Sequence, residues 1–296
     1  MSRTIVVGLD GTPESVTAAD WAAREAVRTD ARLHVVHVWL WQPLVYAPLA
    51  GVSVPPAVEE SQRAWAENLP RETAARLTLE HPGLAVSAEC VSDQPAGGLL
   101  AAAKDAELLV LGSRGLSGVH GFLVGSVALS VAARSRTPLV LVRAETETEA
   151  ARAQDAGEVV LGLDLDHPDA AVIEFAFEAA ARRSVGLRVL TGWTLPAFYG
   201  FSGASDATVN AELLAAAQHR LTEVVRPWRE KFPAVDVREQ SVSGGAGPAL
   251  VDASRNAGLV VVGRKNRSAP VGAHIGPVTQ AVLHHSVAPV AVIPHD

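Results

Sequence analysis

Apolar residues in this chain gather into short continuous runs separated by mixed stretches. In the first half the runs cover Thr4 to Leu9, Leu33 to Trp39, Ala85 to Val91, Leu108 to Gly112 and Leu139 to Val142. They do not alternate apolar with polar, which predicts parallel strands buried on both faces. Between them lie helical stretches: Thr17 to Arg28, Ser61 to Glu80, Leu99 to Lys104 and Ser126 to Ser135. This β-α-β-α order predicts an α/β fold, a doubly wound sheet of roughly five parallel strands with right-handed crossovers. Ligands of such sheets bind at the carboxyl ends of the strands, near the point where strand order reverses.

The second half repeats the first. Ile5-Val6-Val7-Gly8-Leu9-Asp10 recurs as Val159-Val160-Leu161-Gly162-Leu163-Asp164, and Trp39 recurs as Trp193, at one offset. Further along the offset is three residues smaller. There Leu108 to Arg114 matches Leu259 to Lys265, and Thr137 to Val142 matches Ala288 to Ile293. A three-residue deletion in the variable middle accounts for the change. Self-similarity over a whole half identifies a tandem duplication. The polar stretch from Glu145 to Gly157 has the composition of a linker. The expected domains are therefore 1–145 and 158–296, joined by 146–157.

Composition narrows the function classes. Hydrophobic residues make up 48% of the 296 residues and charged residues 19%, which argues against disorder. The formal net charge of -7 argues against a nucleic-acid partner, whose phosphates reward a basic surface. No apolar run approaches the roughly 20 residues of a membrane span, and the apolar start of the chain is too short for a signal peptide. A cytoplasmic protein with no membrane contact is expected. Cys90, the single cysteine, reads as a buried inert thiol.

The strongest chemical signal follows the run Leu108 to Leu111. Gly112, Gly115, Gly118, Gly121 and Gly125 recur at near-regular gaps, and a helix begins at Ser126. Glycine lets a backbone approach a ligand closely, and a helix start presents free N–H groups and a positive dipole end. The combination suits a phosphate, although a glycine loop without a ligand has the same composition. The position behind a central strand favours the phosphate. No Gly-Lys-Ser/Thr follows, so the loop is not a Walker A loop, and it does not follow the first strand as a dinucleotide fingerprint would.

The spacing Gly-x2-Gly-x9-Gly-Ser, met by Gly112, Gly115, Gly125 and Ser126, resembles the signature of the ATP-binding branch of the universal stress proteins. The opening Val6 to Ser15 and the last strand Thr137 to Arg143 resemble the same family, and the likeness recurs in each half. The chain thus looks like a tandem universal stress protein of the kind common in actinobacteria. The resemblance implies two adenine nucleotide alpha hydrolase-like domains and an adenine nucleotide, ATP with Mg²⁺, as ligand. Asp10 would meet the ribose, with an N-terminal helix cap as its alternative role. Gly8 and Leu9 would lie beside it, and Val38 would meet the adenine through its backbone. Leu111 and Gly112 would flank the ribose and phosphates. Gly115, Gly125, Ser126 and Val127 would hold the phosphates. Arg114 would either pair with a phosphate or remain a solvated loop residue. The resemblance also implies pairing of the two domains within the chain, and a homodimer.

The second copy departs from the pattern. Asp164, Gly263 and Gly276 are kept, but Asn266 replaces the second glycine and Pro277 the serine. Asn266 could still make a left-handed turn, and proline suits a helix start. This half is expected either to bind nucleotide more weakly or to serve as a structural copy. His274-Ile275-Gly276 resembles part of an adenylating motif but lies far from a first strand. His284 and His285 lack the turn-apart spacing of two ligands on one helix face and His295 lies near the terminus, so no metal site is expected from them, and His120 reads as a surface residue. Trp39, Trp41 and Trp193 are expected to pack under loops. The segments Pro43 to Pro56 and Phe198 to Ser205 read as loops over the strand ends.

No activated nucleophile or matched acid-base pair stands out. The expected function is a non-enzymatic, nucleotide-dependent regulator of a stress response. An ATP hydrolase or adenylyl-transferring enzyme would need Arg114 and Asp10 as its only charged helpers. A nucleotide-free interaction module is the third reading.

Overall fold

The computed structural model describes residues 3–40, 56–113, 124–143, 157–193, 207–266 and 275–296. The described residues fall into two compact units, one on either side of segment 144–156.

The first unit runs β1 (Thr4–Leu9), α1 (Pro13–Thr29), β2 (Arg32–Val38), α2 (Pro56–Glu80), β3 (Val86–Val91), α3 (Pro95–Ala102), β4 (Leu108–Ser113), α4 (Ser126–Arg134) and β5 (Leu139–Arg143). Its strands pair in parallel in the order β3-β2-β1-β4-β5. The second unit runs β6 (Glu158–Gly162), α5 (Ala170–Arg183), β7 (Leu187–Trp193), α6 (Ala207–Lys231), β8 (Val237–Ser243), α7 (Ala246–Ala253), β9 (Ala257–Lys265), α8 (Pro277–His285) and β10 (Val290–His295). Its parallel order, β8-β7-β6-β9-β10, is the same. Strand order reverses at β1/β4 and at β6/β9, so each crevice opens beyond those carboxyl ends.

The central strands are buried as their continuous apolar runs require: Val7, Leu109, Val110, Val160 and Val261 are all fully buried. β3 differs from the sequence expectation of a strand buried on both faces, whereas β5 meets it. β3, VSAECV, alternates half-buried with exposed residues, and β8 does nearly the same. An outer strand has a neighbour on one side only, and helices cover one of its faces.

The helices show how closely the copies match. Both first helices end on a left-handed residue, Asp30 (φ 51) and Ser184 (φ 54), at the repeat offset. Both long helices have 25 residues. The three-residue deletion therefore falls between β2 and α2 in the first copy and between β7 and α6 in the second, in segments outside the described residues. The cores are filled differently. α1 buries Ala18, Ala19, Ala22, Ala23 and Ala26 against the sheet. α5 buries Phe177, whose ring lies 6.2 Å from Trp228 of α6 and 5.5 Å from Phe232, the residue after that helix.

The helix starts differ by one turn. In the first unit Thr12 caps α1, accepting from the Ser15 N–H, and Pro13 occupies the first helical position. In the second, Pro168 stands where Glu14 does, one residue later than Pro13. Proline disfavours helical geometry in the residue before it, here His167. Asp169 takes the cap instead, its Oδ1 accepting from Ala171 (2.9 Å) and Val172 (3.3 Å) N–H groups. α5 thus has 14 residues where α1 has 17.

Candidate nucleotide site

In the first unit the crevice is built from the ends of β1, β2 and β4 and the start of α4. Gly8 and Gly112 are both tightly packed, Gly8 by the ends of leucine side chains and Gly112 by backbone. A Cβ on Gly8 would lie 2.5 Å from Leu111 and 2.7 Å from Leu99. A Cβ on Gly112 would lie 2.7–2.8 Å from the backbone of Glu14 and Ser15, so the first turn of α1 rests directly on this glycine. The side chains of Leu9 and Leu111 are each 5% exposed. They belong to the core and can offer a ligand only backbone. Val38 is 9% exposed and packs on Gly98 of α3.

Asp10 is exposed at the end of β1. It is not the helix cap. Its Oδ1 accepts from the N–H (3.0 Å) and hydroxyl (2.5 Å) of Thr12, the residue that does cap α1. The carboxylate is thereby held at the crevice mouth. Gly11 adopts φ 81 under the indole of Trp65. His37 Nδ1 donates to the Leu9 carbonyl, 2.8 Å away. Its edge meets Trp65 at 5.5 Å.

Gly125 is the N-cap of α4, with φ -62 and ψ 151 and no side-chain cap hydrogen bond. Ser126 and Val127 follow, both exposed. Among the described residues no capping side chain occupies the first-turn N–H groups of α4, the condition an anion needs. Arg114, Gly115 and His120 lie outside the described residues, as do Trp41, His274, the segment Phe198 to Ser205 and all of Pro43 to Pro56 except Pro56, which begins α2.

In the second unit a cleft of about 750 Å³ opens at the ends of β6, β7, β9 and β10. Asp164, Gly263 and Gly276 all line it. Gly276 caps α8 with φ -62 and ψ 156, nearly the geometry of Gly125, again with no side-chain cap. Among the described residues, chain neighbours aside, no atom lies within 4 Å of where its Cβ would be. Pro277 removes one donor, and the Thr279 hydroxyl donates to the Gly263 carbonyl at 2.9 Å. Gly192 stands where the first unit has Val38. A Cβ there would fall 2.5 Å from the Ala246 nitrogen, so backbone closes on backbone at that end.

Asn266 does not make a left-handed turn. The non-glycine residues with positive φ among those described are Asp30 and Ser184. Asn266 instead accepts from Arg264 (2.8 Å) and donates to Asp296 (3.1 Å), bracing the ends of β9 and β10. Arg264 is 6% exposed, and burial lowers its pKa. Arg143 at the end of β5 is 8% exposed, and burial lowers its pKa to about 10. Burial, and next Glu67, push the Cys90 thiol up, which disfavours the reactive thiolate.

Three site features have no sequence-level counterpart above: the late start of α5, the close approach at Gly192 and the place of His295 beside Gly263. The first had a signal in the run Asp166-His167-Pro168-Asp169, two capping candidates around a proline. The other two depend on contacts between distant segments.

Among the described residues no helix is long and apolar enough to cross a membrane, and no three His, Cys, Asp or Glu side chains are grouped to hold a metal ion.

The universal stress protein family profile matches residues 1–143 and again 157–294. Two universal stress proteins of Mycobacterium tuberculosis are 32% and 31% identical to this chain. The matches cover 99% and 97% of it and 96% of each relative. A crystal structure of a universal stress protein from Archaeoglobus fulgidus superposes with a TM-score of 0.70 at 17% identity, covering 100% of both chains. A functionally unknown protein from Pseudomonas aeruginosa superposes at 0.59 and 16%, covering 100% of this chain and 93% of that one. These two superpositions bear on the fold. With a family match over each half and full-length relatives above 30% identity, the chain belongs to the universal stress protein family, as a tandem of two of its domains.

Proposed function

We propose that the protein is a non-enzymatic, ATP-binding regulator of a cytoplasmic stress response, with its principal site in the first unit. The carrying observation is the start of α4. Gly125 leaves the first-turn amides without a side-chain cap, beside the β1/β4 switch point, with Asp10 held at the same mouth. Phosphates would be received by the amides of Ser126 and Val127 and the Ser126 hydroxyl. The sugar hydroxyls would donate to Asp10, and the base would lie at the end of β2 by Val38. Mg²⁺ would arrive with the phosphates, since no carboxylate cluster among the described residues is arranged for it. Binding would then bias a conformational or assembly state.

Calorimetric titration of Mg·ATP into wild type and into Gly125→Asp tests the reading. The cap φ of -62 accepts any residue. An aspartate there is a good N-cap, worth about 1 kcal/mol to the helix, so the fold should survive. The same carboxylate occupies the amides and repels phosphate. Losing two charge-assisted hydrogen bonds at about 1.5–3 kcal/mol each corresponds to at least roughly 100-fold in affinity. Equal affinity in the two proteins would refute the site.

A further inference from the structure

Away from the nucleotide crevice, three polar side chains meet on the face of β2 and β3. The two strands pair in parallel with His34 directly opposite Ser87. Glu89 lies two residues beyond Ser87, so the period of a strand returns it to the same face. His34 Nδ1 is 2.9 Å from Ser87 Oγ, and His34 Nε2 is 3.2 Å from Glu89 Oε2. An ionised carboxylate can only accept, so Nε2 carries the N–H and donates to Glu89. In the neutral ring Nδ1 is then the lone pair, and the Ser87 hydroxyl donates to it. The Leu33 carbonyl, 3.5 Å from Ser87 Oγ, is the more distant acceptor.

A hydroxyl that donates to a base, with the base oriented by a carboxylate, is the arrangement that activates a serine nucleophile. The ring nitrogens serve here in the opposite order from a Ser-His-Asp triad, which is recognised by geometry and roles. The group is open to solvent: Ser87 is exposed, and the side chains of His34 and Glu89 are 23% and 56% exposed. The strand edge adds a donor. Leu33 and Trp39 N–H groups donate to the Ala85 and Val91 carbonyls. The backbone alternates along a strand, so the odd-numbered residues of β3 face β2 and the Ala88 N–H points off the other edge. Among the described residues no strand pairs with that edge. Ala88 follows the nucleophile, a position from which a backbone N–H serves an oxyanion in other serine sites.

The second unit provides a comparison within the chain. Its equivalent rung pairs Arg188 with Arg238, and Gln240 stands where Glu89 does. Arg188 is engaged by Glu158 at 2.5 Å. The relay therefore belongs to the first unit alone. It also stands apart from the crevice, since His34 precedes Val38 by four residues, roughly 13 Å of strand.

We propose that Ser87 is an acyl-acceptor site, with His34 as its base and Glu89 as the residue that positions the base. The donor is an activated acyl compound, R–CO–X, in which X is a good leaving group. Ser87 Oγ bonds to the carbonyl carbon while its proton passes to His34 Nδ1. The oxyanion so formed meets the Ala88 N–H. The C–X bond then breaks, X departs with the electron pair, and the proton on Nδ1 follows it. The products are O-acyl-Ser87 and HX, with nothing oxidised or reduced. The acyl group stays on the chain, so the step is a single modification rather than turnover.

The test incubates the full chain with p-nitrophenyl acetate and follows acetylation of each residue by peptide mass mapping. Ser87 should be acetylated ahead of every other serine. His34→Gln should slow that acetylation by roughly 100-fold, the low end for a general base. Glu89→Gln should slow it by at least roughly tenfold, and Glu89→Asp should restore part of the rate, which a role confined to strand pairing would not require. All three positions face solvent, so the fold should survive the changes. ATP takes no part in the readout, so failure here leaves the nucleotide site standing. Acetyl groups confined to lysines and the amino terminus would overturn the proposal, as would equal rates at Ser87 in wild type and His34→Gln.

Discussion

Replacing Gly112 and Gly263 with alanine, one at a time, separates packing from ligand contact at the two equivalent positions. At Gly112 the new Cβ would meet Glu14 C at 2.7 Å and Glu14 O and Ser15 N at 2.8 Å. These are backbone atoms of a helix that buries nine residues against the sheet. They cannot swing aside without lifting α1. Overpacking of this kind costs about 1–3 kcal/mol. Taking about 2 kcal/mol, and about 3 °C per kcal/mol for a unit of this size, the first unit should melt roughly 6 °C lower. At Gly263 the nearest atoms are Nε2 and Cδ2 of His295 at 2.9 and 3.0 Å, the end of a side chain, then Val172 at 3.3 Å. The ring can turn into the cleft, so the cost there should stay below about 1 kcal/mol. Differential scanning calorimetry of the two variants and wild type measures the contrast. Equal melting of Gly112→Ala and wild type would show that α1 does not rest on Gly112. A larger loss at Gly263 than at Gly112 would reverse the account of the two crevices.

Other outcomes follow from single contacts. Phe177→Ala, at a fully buried ring stacked on Trp228 and tilted against Phe232, should destabilise the second unit by about 3–5 kcal/mol in urea denaturation. A loss under 1 kcal/mol would mean the ring cluster does not anchor α6. Asp169→Ala removes the cap of α5 and should cost about 1 kcal/mol, whereas Asp169→Asn should retain most of it. Asp10→Ala should weaken ATP binding while lowering stability by no more than about 1 kcal/mol, because its hydrogen bonds to Thr12 are exposed. Unchanged ATP affinity in that variant would remove Asp10 from the site.

Much of this was legible in the sequence because it depends on local pattern. Continuous apolar runs marked the central strands, and self-similarity marked the duplication. β3 was misjudged because composition does not tell which strand lies at an edge: VSAECV reads as a buried run and alternates in the structure. The motif glycines were legible as a motif but not in their roles. Gly112 is demanded by the backbone of α1 that rests on it, Gly8 is crowded by leucine side-chain ends, and Gly125 and Gly276 start helices with no side-chain cap. The second copy looked eroded because Pro277 and Asn266 break the pattern. Its backbone at Gly276 nevertheless matches Gly125 within 5° in ψ, φ being the same. Proline keeps the backbone geometry of a helix start while removing a donor.

The most direct test of the central claim is the stoichiometry and affinity of Mg·ATP binding, by calorimetry, to wild type and to Gly125→Asp. The account predicts a site in wild type that Gly125→Asp weakens by at least roughly 100-fold, without loss of folding. Folded wild-type protein that takes up no ATP, or a Gly125→Asp variant that binds it as tightly as wild type, would contradict it.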